Sequence, residues 1–137
     1  MAATAVTQLQ GFAQSGLDID TRAGRQHFTV YLAVTPAQQE RGLMFVRQLP
    51  AREGMLFMQP GSRRMWMWMK NTLLPLDMLF IDASGRVACV RARTVPQSEE
   101  LIGCEAPVSA VLELGGGVAE RFGIGVGDRV LLPEFSR

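Results

Sequence analysis

Hydrophobic and polar residues alternate along most of the chain, and the period of two breaks in two places. In "HFTVYLAV" (27–34), Phe28, Val30 and Leu32 oppose His27, Thr29 and Tyr31, as in a strand with one buried face. The segments "LDID" (17–20), "GMLFMQ" (54–59), "RMWMWMK" (64–70), "LDMLFID" (76–82), "RVACVRART" (86–94) and "VSAVLEL" (108–114) share this β character. "GVGDRVLL" ends the series with a turn and a strand. Turn residues at Ala23-Gly24-Arg25, Pro60-Gly61 and Ser84-Gly85 punctuate it.

The first break is "TPAQQERGLMF" (35–45), a short helix. Thr35 is its N-cap, Pro36 opens the first turn, Gln38 completes a capping box and Gly42 supplies the stop. The second is "GVAERFG" (117–123), a helix ended by Gly123. This pattern predicts a mainly β fold: a single-domain β sandwich or distorted barrel with two short helices. Residues 1–16 are expected to be a flexible N-terminal segment, and 17–137 the domain.

Composition narrows the function. The 137 residues suit one domain, and 47% hydrophobic with 20% charged residues is an ordinary globular balance. A net charge of +1 with scattered arginines gives no clustered basic face for nucleic acid. No apolar run is long enough to span a membrane. The N-terminal "MAATAVTQLQGFAQSG" has no charged n-region or apolar core. Its small-residue start looks like what remains after signal removal, so an exported or periplasmic location is expected, with the cytoplasm as the alternative. Cys89 and Cys104 either close a loop worth about 3 kcal/mol or stay as buried thiols, and the sequence leaves both open.

Four segments in order, "TPAQQERGLMF", "LPAREGMLF" (49–57), "WMKNTLLPLDMLFID" (68–82) and "VLELGGGVAERFGIGVGD" (111–128), resemble the domain of unknown function 192 (DUF192) family. The match runs from about Val30 to Val130. The resemblance implies a compact, mainly β domain of bacteria and archaea, often exported, with no established activity or catalytic residues. Trp68, Met69, Lys70, Asn71, Thr72, Pro75, Leu76 and Asp77 fall on its motif; Met65 and Met67 do not.

Candidate chemistry is sparse. His27 is the only histidine and Lys70 the only lysine, which argues against a Ser–His–Asp triad or a zinc site. No metal and no cofactor are expected. Met65, Met67 and Met69 share one side of their segment, as a soft-metal site or, the favoured reading, as flexible core filler. Trp66, Trp68 and Lys70 share the other, as an aromatic platform for a sugar or peptide or, the favoured reading, as core. The glycines of "LGGGVAERFGIGVGD" fit neither phosphate-loop spacing.

"KNTLLPLD" (70–77) is the favoured polar site, because strand-end loops often carry function. Asp77 alternates with Leu79 and Ile81, so it faces an apolar layer and needs a partner. It either shares a pocket with Lys70 and Arg41 or locks the Asn71-Thr72 turn through backbone N–H groups. The candidate ligand-binding residues are therefore Lys70, Asn71, Asp77, Trp68 and Arg41. The leading expectation is a non-enzymatic binding or accessory domain for a small molecule or peptide. The alternative is a small carboxylate-dependent hydrolase acting on a sugar or similar polar substrate, drawing on Asp77, Asp82, Glu53 and Glu113.

Overall fold

Thr21 sets the first turn: its Oγ1 accepts the Ala23 N–H at 3.0 Å and donates to the Gly24 carbonyl at 2.8 Å. Gly24, at φ 110°, takes a conformation that side chains resist. The turn joins β1 (Ala13–Thr21) to β2 (Gly24–Ala33). The remaining elements are α1 (Pro36–Arg41), β3 (Glu53–Arg63), β4 (Leu76–Ile81), β5 (Val87–Arg91), β6 (Val108–Gly115), α2 (Val118–Arg121) and β7 (Arg129–Leu131). This computed structural model describes residues 9–131.

The capping box of α1 forms as its sequence predicts. Thr35 Oγ1 accepts the Gln38 N–H, and Gln38 Oε1 accepts the Thr35 N–H. Gly42 ends the helix at φ 48°. A parallel strand pair needs a crossover, and α1 with the loop after it carries the chain from β2 to its parallel neighbour β3. All other pairs are antiparallel, in the order β5-β4-β6-β3-β2-β1-β7.

The sheet curls into a half-barrel whose edges meet at one end. There the Val130 N–H donates to Gly85 O at 2.7 Å, and the Val87 N–H to Asp128 O at 2.9 Å. Of the two predicted architectures the distorted barrel is the one formed. One face carries Leu17, Ile19, Phe28, Val30, Leu56, Leu79, Ile81 and Leu112, with Val118 and Ala119 of α2 packed on them. The other face carries Tyr31, Met55, Phe57, Met78, Phe80 and Val111. Among the described residues no second sheet covers it; loops carrying Leu43, Val46, Met69 and Cys104 do. Both faces of β2 are thus covered at Tyr31, which is buried rather than exposed as a one-faced strand would have it.

Four boundaries differ from the sequence reading. β3 runs through Pro60-Gly61, expected as a turn, as far as Arg63, and the interruption appears only as a register shift against β6 between Met58 and Arg63. β1 begins at Ala13, so residues 13–16, expected to be flexible, pair with residues 29–32 of β2. Gln14, Ser15 and Gly16 show no apolar alternation, and backbone pairing alone holds them there. Residues 1–8 of the expected flexible segment lie outside the described residues. Residues 64–70 form no strand: their one ladder contact is a bridge between Met67 and Ile102. β5 stops at Arg91, and Arg93 turns away at φ 49°. Cys89 and Cys104 are joined in a disulfide with Cα atoms 6.0 Å apart, tying β5 to the loop over the second core.

Candidate functional site

The loops over the second core leave a cleft of about 260 Å³. One wall is the end of α1 and the turn after it, from Gln39 to Met44. Gln39 pins that wall to the sheet, its Nε2 donating to the carbonyls of Ala33 at 3.1 Å and Met58 at 2.6 Å. The opposite wall is the extended segment holding Trp66, Met67, Trp68 and Lys70.

That segment keeps its alternation without belonging to the sheet. Met65 and Met67 pack on the second core and Met69 is buried within it, its Sδ accepting the Thr94 hydroxyl at 3.1 Å. The methionines therefore act as core, as favoured from the sequence. Trp66 and Trp68, favoured as core from the sequence, instead face outward, 51% and 39% exposed, because the segment lies as an outer layer over the second core and not inside the sheet. Met67 exchanges two backbone hydrogen bonds with Ile102, at 2.8 and 2.7 Å, and the Met69 N–H donates to Ser98 O at 2.9 Å. The 98–104 loop, held by the disulfide, is thus what positions the aromatic wall. Gly103 fits under Trp66, where a Cβ would run into the indole.

The two walls are tied to each other by the Phe45 N–H, which donates to Asn71 O at 2.9 Å. Both residues have positive φ, 66° and 56°, uncommon outside glycine and concentrated at ligand clamps and switches. Arg64 lies 4.8 Å from the Trp66 ring centre and Lys70 Nζ 5.2 Å from that of Trp68, close enough for cation–π attraction.

The floor contains Phe57 of β3 and Glu113 of β6. Register places Glu113 between Met55 and Met78 on neighbouring strands, with Tyr31 one strand further on. Glu113 is 4% exposed, and burial pushes its carboxyl up from 4.5 to about 8. Among the described residues no side chain forms an ion pair with it, and its oxygens open on the cleft. A second cleft of about 310 Å³ adjoins this one, sharing Gln39, Phe57, Trp66 and Met67 and adding Gln59, Arg63, Arg64 and Met65.

Residues 18–132, most of the folded chain, match the sequence profile of DUF192, described as uncharacterized ACR. The chain belongs to the DUF192 family. A crystal structure from Sinorhizobium meliloti 1021, named as a candidate transcription regulator, is 44% identical to this DUF192 chain with a TM-score of 0.85. The match covers 88% of this chain and 94% of that one. A protein of unknown function from Novosphingobium aromaticivorans DSM 12444 is 38% identical with a TM-score of 0.88, covering 96% and 94%. No curated protein matches.

Within this DUF192 fold, three of the five candidate residues meet: Arg41, Trp68 and Lys70 line the cleft. Asn71 stands behind the wall, its carbonyl holding Phe45 and its Nδ2 4.0 Å from Met44 Sδ. Asp77 does not share the pocket. It lies on the Leu79–Ile81 side of β4, the opposite face of the sheet from Glu113. Its carboxylate accepts the N–H groups of Arg93 (2.8 Å), Gly117 (3.0 Å) and Ala119 (2.9 Å). Asp77 does lock a turn through backbone N–H groups, but it is the start of α2 and not Asn71-Thr72. Asp82 is spent similarly, accepting from Ser84 and Arg86 in the β4–β5 turn.

Glu113 entered the sequence reading only as one of four carboxylates and not as a cleft residue. Its signal is an isolated charge inside "VSAVLEL", two positions from Val111 on an otherwise apolar face.

Proposed function

We propose that this DUF192 domain is a non-enzymatic binding module that takes a small molecule in the cleft between α1 and residues 66–72. The observation that carries the reading is the pair of exposed indoles beside a floor carboxyl that no side chain among the described residues pairs with. Large exposed aromatics over a concave site with a few convergent polar groups are the usual makings of a ligand pocket. The chain has two tryptophans and both line this cleft, so intrinsic fluorescence reports on it directly. A metabolite library titrated against that emission should yield a saturable change, and native mass spectrometry of protein from its own host should show a retained mass. A silent library together with a bare native mass would end the binding reading.

The hydrolase alternative uses the same residue. A carboxyl held protonated near neutral pH can act as a general acid, and Glu40 supplies a second carboxyl at the cleft. Turnover of a chromogenic glycoside that Glu113→Gln abolishes would install it in place of binding.

The Sinorhizobium relative is named as a candidate transcription regulator, but a direct nucleic-acid role for this chain is not favoured by a net charge of +1 with scattered arginines. No helix among the described residues is long and apolar enough to cross a membrane. Export to an oxidising compartment is part of the proposal, supported by the Cys89–Cys104 bridge. An intact mass lighter by two hydrogens, in protein from its native compartment, is the expected result; full mass would withdraw it.

A further inference from the structure

We propose that the cleft recognises a small zwitterion of the amino-acid type, its ammonium group against Glu113 and its carboxylate against Lys70 and Arg41. The inference rests on the binding reading above and adds the chemical class of the ligand.

Three observations carry it. First, Glu113 is buried among methionines, lines the cleft and has no charged partner among the described residues. A buried carboxylate without a partner is costly, so it ionises when a cation arrives beside it. Second, Lys70 and Arg41 line the same cleft, and neither forms an ion pair among the described residues. Each instead faces a ring, Lys70 that of Trp68 and Arg41 that of Phe12 at 5.9 Å. The other charged residue of the lining, Glu40, is exposed on α1. Third, about 260 Å³ is below the roughly 300–1,000 Å³ of sites for drug-sized ligands, which fits a small metabolite.

These features select against simpler ligands. An inorganic anion would satisfy the two cations and leave Glu113 buried and unpaired. A simple amine would do the reverse, and a neutral sugar would use neither charge. An amino acid uses both, with Phe57, Met44 and Met67 available to its side chain.

Binding also carries a proton signature. Burial keeps the proton on Glu113 in the empty cleft, and an ammonium group displaces it to solvent. The charged groups that line the cleft with it are Glu40, Arg41 and Lys70; Glu53 and Tyr31 lie along the same sheet face.

The test is calorimetry at pH 7 in two buffers of different ionisation enthalpy, with the twenty free L-amino acids, propylamine and glucose as probes. At least one amino acid should bind with release of close to one proton. Glu113→Gln should abolish that release and weaken binding at least tenfold, and Lys70→Met should weaken it several-fold. Glutamine is nearly isosteric and removes a buried ionisable group, so the variant folds. An amino acid that binds without proton release, or equally well in Glu113→Gln, overturns the proposal. Glucose binding with every amino acid inert overturns it too, while leaving the cleft a binding site. Silence from all probes overturns the proposal, while the binding reading is decided separately by the metabolite library and the native mass.

Discussion

Glu113 makes a quantitative demand on stability. Its carboxyl is raised from 4.5 to about 8, with burial as the cause. For an acid raised in this way the folded state holds the proton where the unfolded chain has released it. Stability from this group is therefore complete below about pH 4.5, falls as pH rises and levels off above about pH 8. The slope across that window is about 1.4 kcal/mol per pH unit, close to 5 kcal/mol over its whole width. At pH 7 about 3 kcal/mol has gone, a large share of the 5–15 kcal/mol typical of a domain. Glu113→Gln replaces the protonated carboxyl with a neutral group of similar shape. It should match the parent near pH 4.5, exceed it by about 3 kcal/mol at pH 7 and gain more by pH 9. Urea denaturation followed by far-UV circular dichroism at five pH values from 5 to 9 measures this. Taking the difference between the two proteins cancels every other titrating group. Parallel curves, offset by the same amount at every pH, would refute the account of Glu113 as a buried carboxyl without a partner.

Asp77→Asn should lower stability by about 3 kcal/mol, through loss of charge-assisted bonds to three backbone N–H groups. Its cleft fluorescence should be unchanged in a titration, because the residue lies on the other face of the sheet. Replacing Cys89 and Cys104 by serine should lower stability by about 3 kcal/mol in a melt. Since that bridge holds the loop paired with Met67, tryptophan emission should shift as well. Gly103→Ala should push Trp66 aside at a cost below about 1 kcal/mol, because the half-exposed ring can swing outward. Normal stability in denaturant with a lost fluorescence response is the expected pair of results.

Local sequence rules were sufficient where a segment answered to its own chemistry. The capping box at Thr35 and Gln38, the stop at Gly42 and the apolar strands β3, β4 and β6 all follow from neighbours along the chain. "RMWMWMK" shows the limit of that logic. Its alternation puts methionines and tryptophans on opposite sides, and the methionines are core. The tryptophans, favoured as core too, are exposed, because the same pattern arises in an extended segment lying over a sheet as in a strand within one. Asp77 was legible as a buried acceptor, because it shares a period with Leu79 and Ile81. Its partners were not, since Arg93, Gly117 and Ala119 come from turns far along the chain. Glu113 was visible as a charge inside an apolar strand. That it opens on a cleft depends on α1 and residues 66–72 crossing the same sheet face, which no local pattern records.

The meeting of the sheet's edges near Gly85 and Val130 bears on association between copies. In an open sheet, β5 and β7 would each present a row of free N–H and C=O groups, a template on which another chain can add a strand. Here part of each row is spent on the other, through Gly85 and Val87 with Gly127, Asp128 and Val130. Among the described residues β7 spans only Arg129–Leu131, so this protection hangs on a small element near the end of the described chain. Detaching it uncovers the exposed flanks of β1 and β5 together. Damage at that end should therefore appear first as self-association, before any loss of the packed core.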